Sequence, residues 1–188
     1  MVYLGLISDN TQEMAERLVN SALIDPSWVN DHLNDFKRDD PEFRLIEVDR
    51  KPERYEAGHI PGAIGINWEE EVGSDLGRSL VEKEAFEAVM GKYGITEDTT
   101  LVFYGDEGNW YAAHAFWVCR YFGHEEVRMM SGGRRHWRRE GYEMTTDVPQ
   151  VSETTYSAGK INEKIEAYAT RSKPEIRNTG EQIVKDTL

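Results

Sequence analysis

The 188-residue chain holds a single cysteine, Cys119. One thiol excludes an intrachain disulfide framework and a CxxC metal site, and it makes the cytoplasm the default compartment. Positive charge is also scarce: 22 Lys and Arg stand against 35 Asp and Glu, for a net charge of −13. Such a surface repels nucleic acid and anionic membranes at long range, so neither is expected as a partner. The acidity fits an ordinary acidic protein or one kept soluble at high salt, and composition leaves both open. No apolar run approaches the roughly 18 residues that a membrane span needs. The opening "MVYLGLISDN" has no basic start and no small-residue cleavage site, which makes it a poor signal peptide.

What is present is the material of a core. Five Trp, nine Tyr and six Phe, with 39% hydrophobic residues, argue against a disordered chain. The length suits one domain of about 100–150 residues with extra segments at its ends. Residues 1–21 read as a strand-like start and an amphipathic helix, "TQEMAERLVNS", with Thr11 as N-cap and Met14, Leu18 and Val19 on one face. "DPSWVNDHLNDF" opens a second helical stretch with Pro26 in the first turn and Trp28, Leu33 and Phe36 as its buried stripe. Phe43–Asp49 is a short, apolar-rich strand, and a second runs over Ala63–Trp68. A helix over Glu82–Tyr93 stops at Gly94, and a strand over Thr100–Tyr104 follows. A helix over Asn109–Phe122 stops at Gly123; then come a strand at Glu126–Met130 and a short helix in "GGRRHWRREG". Strand and helix alternate with crossover-length connections. This predicts an α/β fold, a parallel sheet with helices on both faces.

After Pro149 the chain turns polar, with one amphipathic helix carrying Ile161, Ile165 and Tyr168. The expected organisation is an N-terminal extension over 1–22, a domain over 23–149, and a polar linker or docking arm over 150–188 that packs poorly unless a partner covers it.

The informative stretch is "LVFYGDEGNWYAAHAFW", Leu101 to Trp117. An apolar strand enters a glycine loop and a helix follows at once, a layout that carries nucleophiles or grips anions. Yet Gly105, Asp106, Glu107, Gly108, Asn109 and Trp110 include no Cys, Ser, Thr or His. Helix capping is the plainer role for Asp106 and Asn109. Trp110 is either a core anchor or one wall of a pocket shared with a partner. Cys119 lies about ten residues into the following helix, on a face with Ala112, Ala115 and Phe116; it reads as a small buried hydrophobe. The cluster "RRHWRRE", Arg134 to Glu140, reads as a solvated helix face with Trp137 buried.

Two segments carry a resemblance. "RYEAGHIPGAIGINW" is similar to the E-Y-x-x-G-H-I-P-G-A signature of rhodanese-type sulfurtransferases. "GHEEVRMMSGGRRHWRREGY" resembles the family's closing segment, and the spacing between the two fits. The similarity covers about Leu23 to Pro149 and favours the N-terminal half of a tandem-domain thiosulfate sulfurtransferase. It implies a rhodanese-like, five-stranded parallel sheet. In that family a loop cysteine takes sulfur from thiosulfate and passes it to a thiophilic acceptor, with no cofactor. Here the cysteine position falls at Gly105 or Asp106, so the resemblance implies a domain without a catalytic residue of its own. Its partner would be a cysteine-bearing rhodanese domain or a sulfur-relay protein. His59 is implied to be structural. Glu47 and Asp49 end the first core strand, where they would brace the loop, and Asp49, Arg50, Asp106 and Trp110 are the candidate substrate or interface residues.

Overall fold

Phe43–Asp49 (β2) is a central strand because it can be buried on both faces: Leu45, Ile46 and Val48 are fully enclosed. In the computed structural model, which describes residues 22–71 and 81–161, it pairs in parallel with Ala63–Asn67 (β3) on one side and Thr100–Tyr104 (β4) on the other. Val127–Met130 (β5) lies outside β4, and Leu23–Ile24 (β1) closes that edge, so the order is β1-β5-β4-β2-β3. The expected five-stranded parallel sheet is therefore present. Its edge strand is Leu23–Ile24, a two-residue run too short to announce itself by periodicity. The helix expected over 11–21, the strand-like start before it and the helix carrying Ile165 and Tyr168 lie outside the described residues.

The two faces of the sheet are covered by different helices. On one face Ile46, Val48, Leu101 and Phe103 pack with Lys83–Lys92 (α5) and Trp110–Tyr121 (α6). On the other, Leu45, Ala63, Val102 and Tyr104 pack with Pro26–Asp31 (α1), Leu33–Phe36 (α2) and Gly133–Arg139 (α7). Two short helices complete the chain: Pro52–Glu56 (α3) follows β2, and Trp68–Glu71 (α4) follows β3. The second strand thus ends at Asn67 rather than Trp68. Trp137 is fully buried, and its indole N–H donates to the Glu143 carbonyl at 2.8 Å, so the large ring leaves no unpaired donor in the core.

The stretch after Pro149 corrects the expectation of a loosely packed arm. Residues 150–160 run along the α5–α6 face, where Tyr156 and Ala158 are buried in that cluster. Thr154 donates its N–H to the Gly91 carbonyl and its hydroxyl to the Ile95 carbonyl, and Ser152 donates to Asp39. A side chain at Gly91 would meet the Thr154 carbonyl at 2.6 Å, so the glycine is what lets the segment lie this close. Composition concealed this because the segment is held largely by its backbone.

His124 anchors the same segment from below. Its Nε2–H donates to the Thr99 carbonyl at 2.7 Å, and Nδ1 then accepts from the Tyr156 hydroxyl at 3.0 Å. Burial lowers its pKa from the ordinary 6.5, partly offset by the bond to Thr99. Above pH 6.5 the ring is neutral both folded and unfolded, and the contribution to stability is whole. Below it the unfolded ring takes up a proton that the folded ring resists, so stability falls. Thermal melts are expected to show a lower transition at pH 5.5 than at pH 7. The loss should be smaller in His124→Gln; an equal loss in both would remove His124 as a cause.

Candidate functional site

The sheet order reverses between β2 and β4, and the crevice beyond their carboxyl ends is where open α/β sheets bind ligands. Here β2 delivers Glu47 and Asp49, and β4 delivers the loop Gly105–Trp110. The loop is shaped by close approach. Gly105 is buried against the Val48 carbonyl, with no room for a side chain. Gly108 and Asn109 both adopt left-handed backbone, at φ 71° and 65°, and Asn tolerates this better than other side chains.

Asn109 fixes the loop from inside. Its Oδ1 accepts the Gly105 N–H at 3.0 Å, and its Nδ2 donates to the Met130 carbonyl at 2.6 Å. The Gly105 carbonyl in turn accepts the Arg134 N–H at 3.0 Å. The Asn109 amide thereby joins the loop to β5, and the Gly105 carbonyl joins it to α7. The expectation of helix capping fails for both residues: neither Asp106 nor Asn109 makes a side-chain cap bond. The Asn109 amide is drawn inward to buried backbone groups, and the Asp106 carboxylate is drawn to arginines.

Asp106 lies between two guanidinium groups. Its Oδ2 is 3.5 Å from Arg54 and 3.7 Å from Arg134 Nε. Arg54 also reaches Asp49 Oδ2 at 3.3 Å. Arg134 pairs closely with Glu47 Oε1 and donates to the Gly58 and Arg54 carbonyls. Burial pulls the Arg134 guanidinium down to about 10, helped by Arg138, so it remains charged at neutral pH. The solvated-face reading of "RRHWRRE" thus fails at Arg134, which is 6% exposed. Sequence reasoning did not single out Arg54 or Arg134. Both lie inside the two quoted segments, but only the fold brings residues 54, 106 and 134 together.

The remaining candidates fall around this cluster. Asp49 is 4% exposed and braces the start of the next loop: its Oδ1 accepts the Arg50 N–H at 2.7 Å and the Lys51 N–H at 3.4 Å. Arg50 itself is exposed. Trp110 is 57% exposed, so it is no core anchor and faces outward beside the loop. The His59 ring stacks on Tyr55 at 3.8 Å, and its nitrogens lie 2.9 and 3.1 Å from the Tyr55 and Asp147 carbonyls. Cys119 is buried on α6, nine residues past Trp110 or about 14 Å along the helix. Burial pushes its thiol well up, which disfavours the thiolate. Among the described residues no group of three or more His, Cys, Asp and Glu is placed to hold a metal ion, and no helix is long and apolar enough to cross a membrane.

Comparison with known proteins places this geometry. The family model described as a rhodanese-like domain matches residues 25–140. A Haloferax volcanii protein with the provisional name thiosulfate sulfurtransferase is 45% identical over 146 residues, covering 78% of this chain and 51% of that protein. The sulfur carrier protein TtuD of Thermus thermophilus is 42% identical over 146 residues, covering 78% and 50%. The chain spans about half the length of these curated relatives. Among solved structures, YnjE superposes with a TM-score of 0.62 at 28% identity, over 74% of this chain and 34% of that one. SseA from Escherichia coli, in a structure of 3-mercaptopyruvate sulfotransferases, gives 0.61 at 24% identity over 76% and 56%, a likeness of fold.

The amide of Asn109 yields a prediction. Asn109→Ala removes the partner of a buried N–H and of a buried carbonyl and leaves a left-handed backbone without its usual residue. The expected cost is about 2–4 kcal/mol, from unsatisfied groups at ~1–3 each with some relaxation. Urea denaturation checks it; a change below about 0.5 kcal/mol would show that the loop is held by something else.

Proposed function

This chain belongs to the rhodanese-like domain family, and from that premise we propose that it is a non-catalytic rhodanese domain, the counterpart of the N-terminal half of a tandem thiosulfate sulfurtransferase. Its role is to support a cysteine-bearing sulfurtransferase domain. On this reading residues 23–149 form the domain, residues 1–22 extend it, residues 150–188 lead toward the partner, and no cofactor is required.

The observation that carries the reading is the Asp106 carboxylate set between Arg54 and Arg134 in the loop after β4. Sulfur transfer needs a thiolate nucleophile and donors that attract an anion. A carboxylate is a poor nucleophile toward sulfur, and its charge repels thiosulfate. The Gly105 N–H, which could have bonded an anion, already bonds Asn109. The buried Cys119 is too far along α6 to substitute. Relatives of which the matched region covers only about half support the idea of a second half. The outward-facing Trp110, with Asp49, Arg50 and Asp106 behind it, is the surface we assign to that partner or to its substrate. The cytoplasm is the compartment proposed.

A second reading is a binding or regulatory module working alone in a sulfur relay. It is favoured by the relative named as a sulfur carrier protein. Size-exclusion chromatography with a candidate partner separates the two: a stable heteromer favours the subunit role.

The chemistry is tested directly. The chain alone, incubated with thiosulfate and cyanide, is expected to form no thiocyanate above the protein-free rate, and Cys119→Ser to behave the same. Turnover by the wild type would overturn the proposal, whether or not the cysteine variant retained it.

A further inference from the structure

Beside the arginine cluster a second cavity opens on the same face of the sheet, with a volume of about 210 Å³. Its floor follows from strand alternation. Glu47 and Asp49 point to one face of β2; Gly65 and Asn67 stand opposite them in register on β3 and point the same way. Gly65 has no side chain, and the Tyr55 ring lies over it, so close that a Cβ would meet the ring at 2.7 Å. Three polar side chains therefore occupy positions that hold apolar residues elsewhere on this face.

Two of their oxygens stand out. Glu47 is 1% exposed and gives Oε1 to Arg134, but its buried Oε2 accepts no hydrogen bond. Buried Asn67 Oδ1 likewise accepts none. Both residues line the cavity. A buried carboxylate oxygen without a donor is costly, and charged groups cost most. Among the described residues the lining holds five acids, Glu47, Asp49, Glu56, Glu70 and Glu71, and one base, Lys51; bases beside it pair with Glu47, Asp49 and Glu71, but none of them reaches Glu47 Oε2 with a hydrogen bond. Glu71 is already engaged, accepting from Asn67 N–H, Lys92 and Tyr93. The cavity is also far larger than the ~10–15 Å³ that a single water requires. Two buried acceptor oxygens without donors, one of them on a carboxylate, and the size of the cavity ask for a cation that brings N–H groups.

We propose that this cavity binds a small organic cation carrying N–H donors, an alkylammonium or guanidinium, held by Glu47 Oε2 and Asn67 Oδ1. The site shares Glu47 and Asp49 with the charged network that holds the loop after β4, but it does not depend on the role assigned to that loop.

The test is a titration of the full chain followed by amide NMR shifts, with ethylammonium chloride as the probe. Potassium chloride and tetramethylammonium chloride at equal ionic strength serve as controls that lack N–H donors. Saturable shifts at Gly65 and Asn67 are expected with ethylammonium alone. Asn67→Leu should weaken binding about tenfold or more, the loss of one hydrogen bond to a charged group. Shifts that do not saturate, that are matched by either control, or that persist unweakened in the folded variant would overturn the proposal. Should the variant not fold, the wild-type comparison with the two controls decides alone.

Discussion

The carboxyl end of the sheet is held by a chain of alternating charge: Glu47, Arg134, Asp106, Arg54 and Asp49, each in contact with the next. Its outer members are almost fully buried, and Arg134 at its core is 6% exposed. In such a setting each charge is tolerable because its neighbours are present, and removing one partner leaves another uncompensated, typically at about 3–5 kcal/mol. The chain joins four separate parts of the sequence: the end of β2, the helix α3, the loop after β4 and the first turn of α7. It also reaches backbone, since Arg134 donates to the carbonyls of Arg54 and Gly58. The placement of the loop, and hence what the crevice can accept, follows from this network together with the buried Asn109 amide.

On the proposed reading, Asp106 takes the position within the network that an anionic ligand would otherwise seek. Two guanidinium groups converge on one carboxylate oxygen, an arrangement suited to binding an external carboxylate or sulfur oxyanion. Glu47 and Asp49 already pair with Arg134 and Arg54, so Asp106 adds a third carboxylate that ties the two arginines together and orders the loop. Asn109 turns inward as well: its side-chain amide satisfies the buried Gly105 N–H, and the loop closes on itself.

Much of the scaffold was legible in the sequence because its signals are local. Phe43–Asp49 and Thr100–Tyr104 have apolar runs of strand length, and the observed strands have the same bounds. The helices around Glu82–Tyr93 and Asn109–Phe122 end at glycines and are found within a residue or so. Features that depend on distant partners were not legible. Leu23–Ile24 is a strand only because β5 is beside it. Arg134 looks like one of several solvated arginines until Glu47 is placed against it. Asp106 has the composition of a helix cap, yet the competing attraction of two arginines decides where it points. Residues 150–160 are polar in sequence and nonetheless dock, because Gly91 and Gly123 leave room for their backbone. Trp110 could be read either way, and its 57% exposure settles that it is not part of the core.

The central claim is that an internal carboxylate fills the anion seat, and calorimetric titration with thiosulfate tests it most directly. Wild-type protein is expected to give no binding isotherm up to about 10 mM, a level at which even a ~1 mM site would saturate. Asp106→Ala, still folded, should bind with a Kd in roughly the millimolar range or below, as expected for two charge-assisted contacts of ~1.5–3 kcal/mol each. Binding by the wild type, or none by the folded variant, would contradict the account.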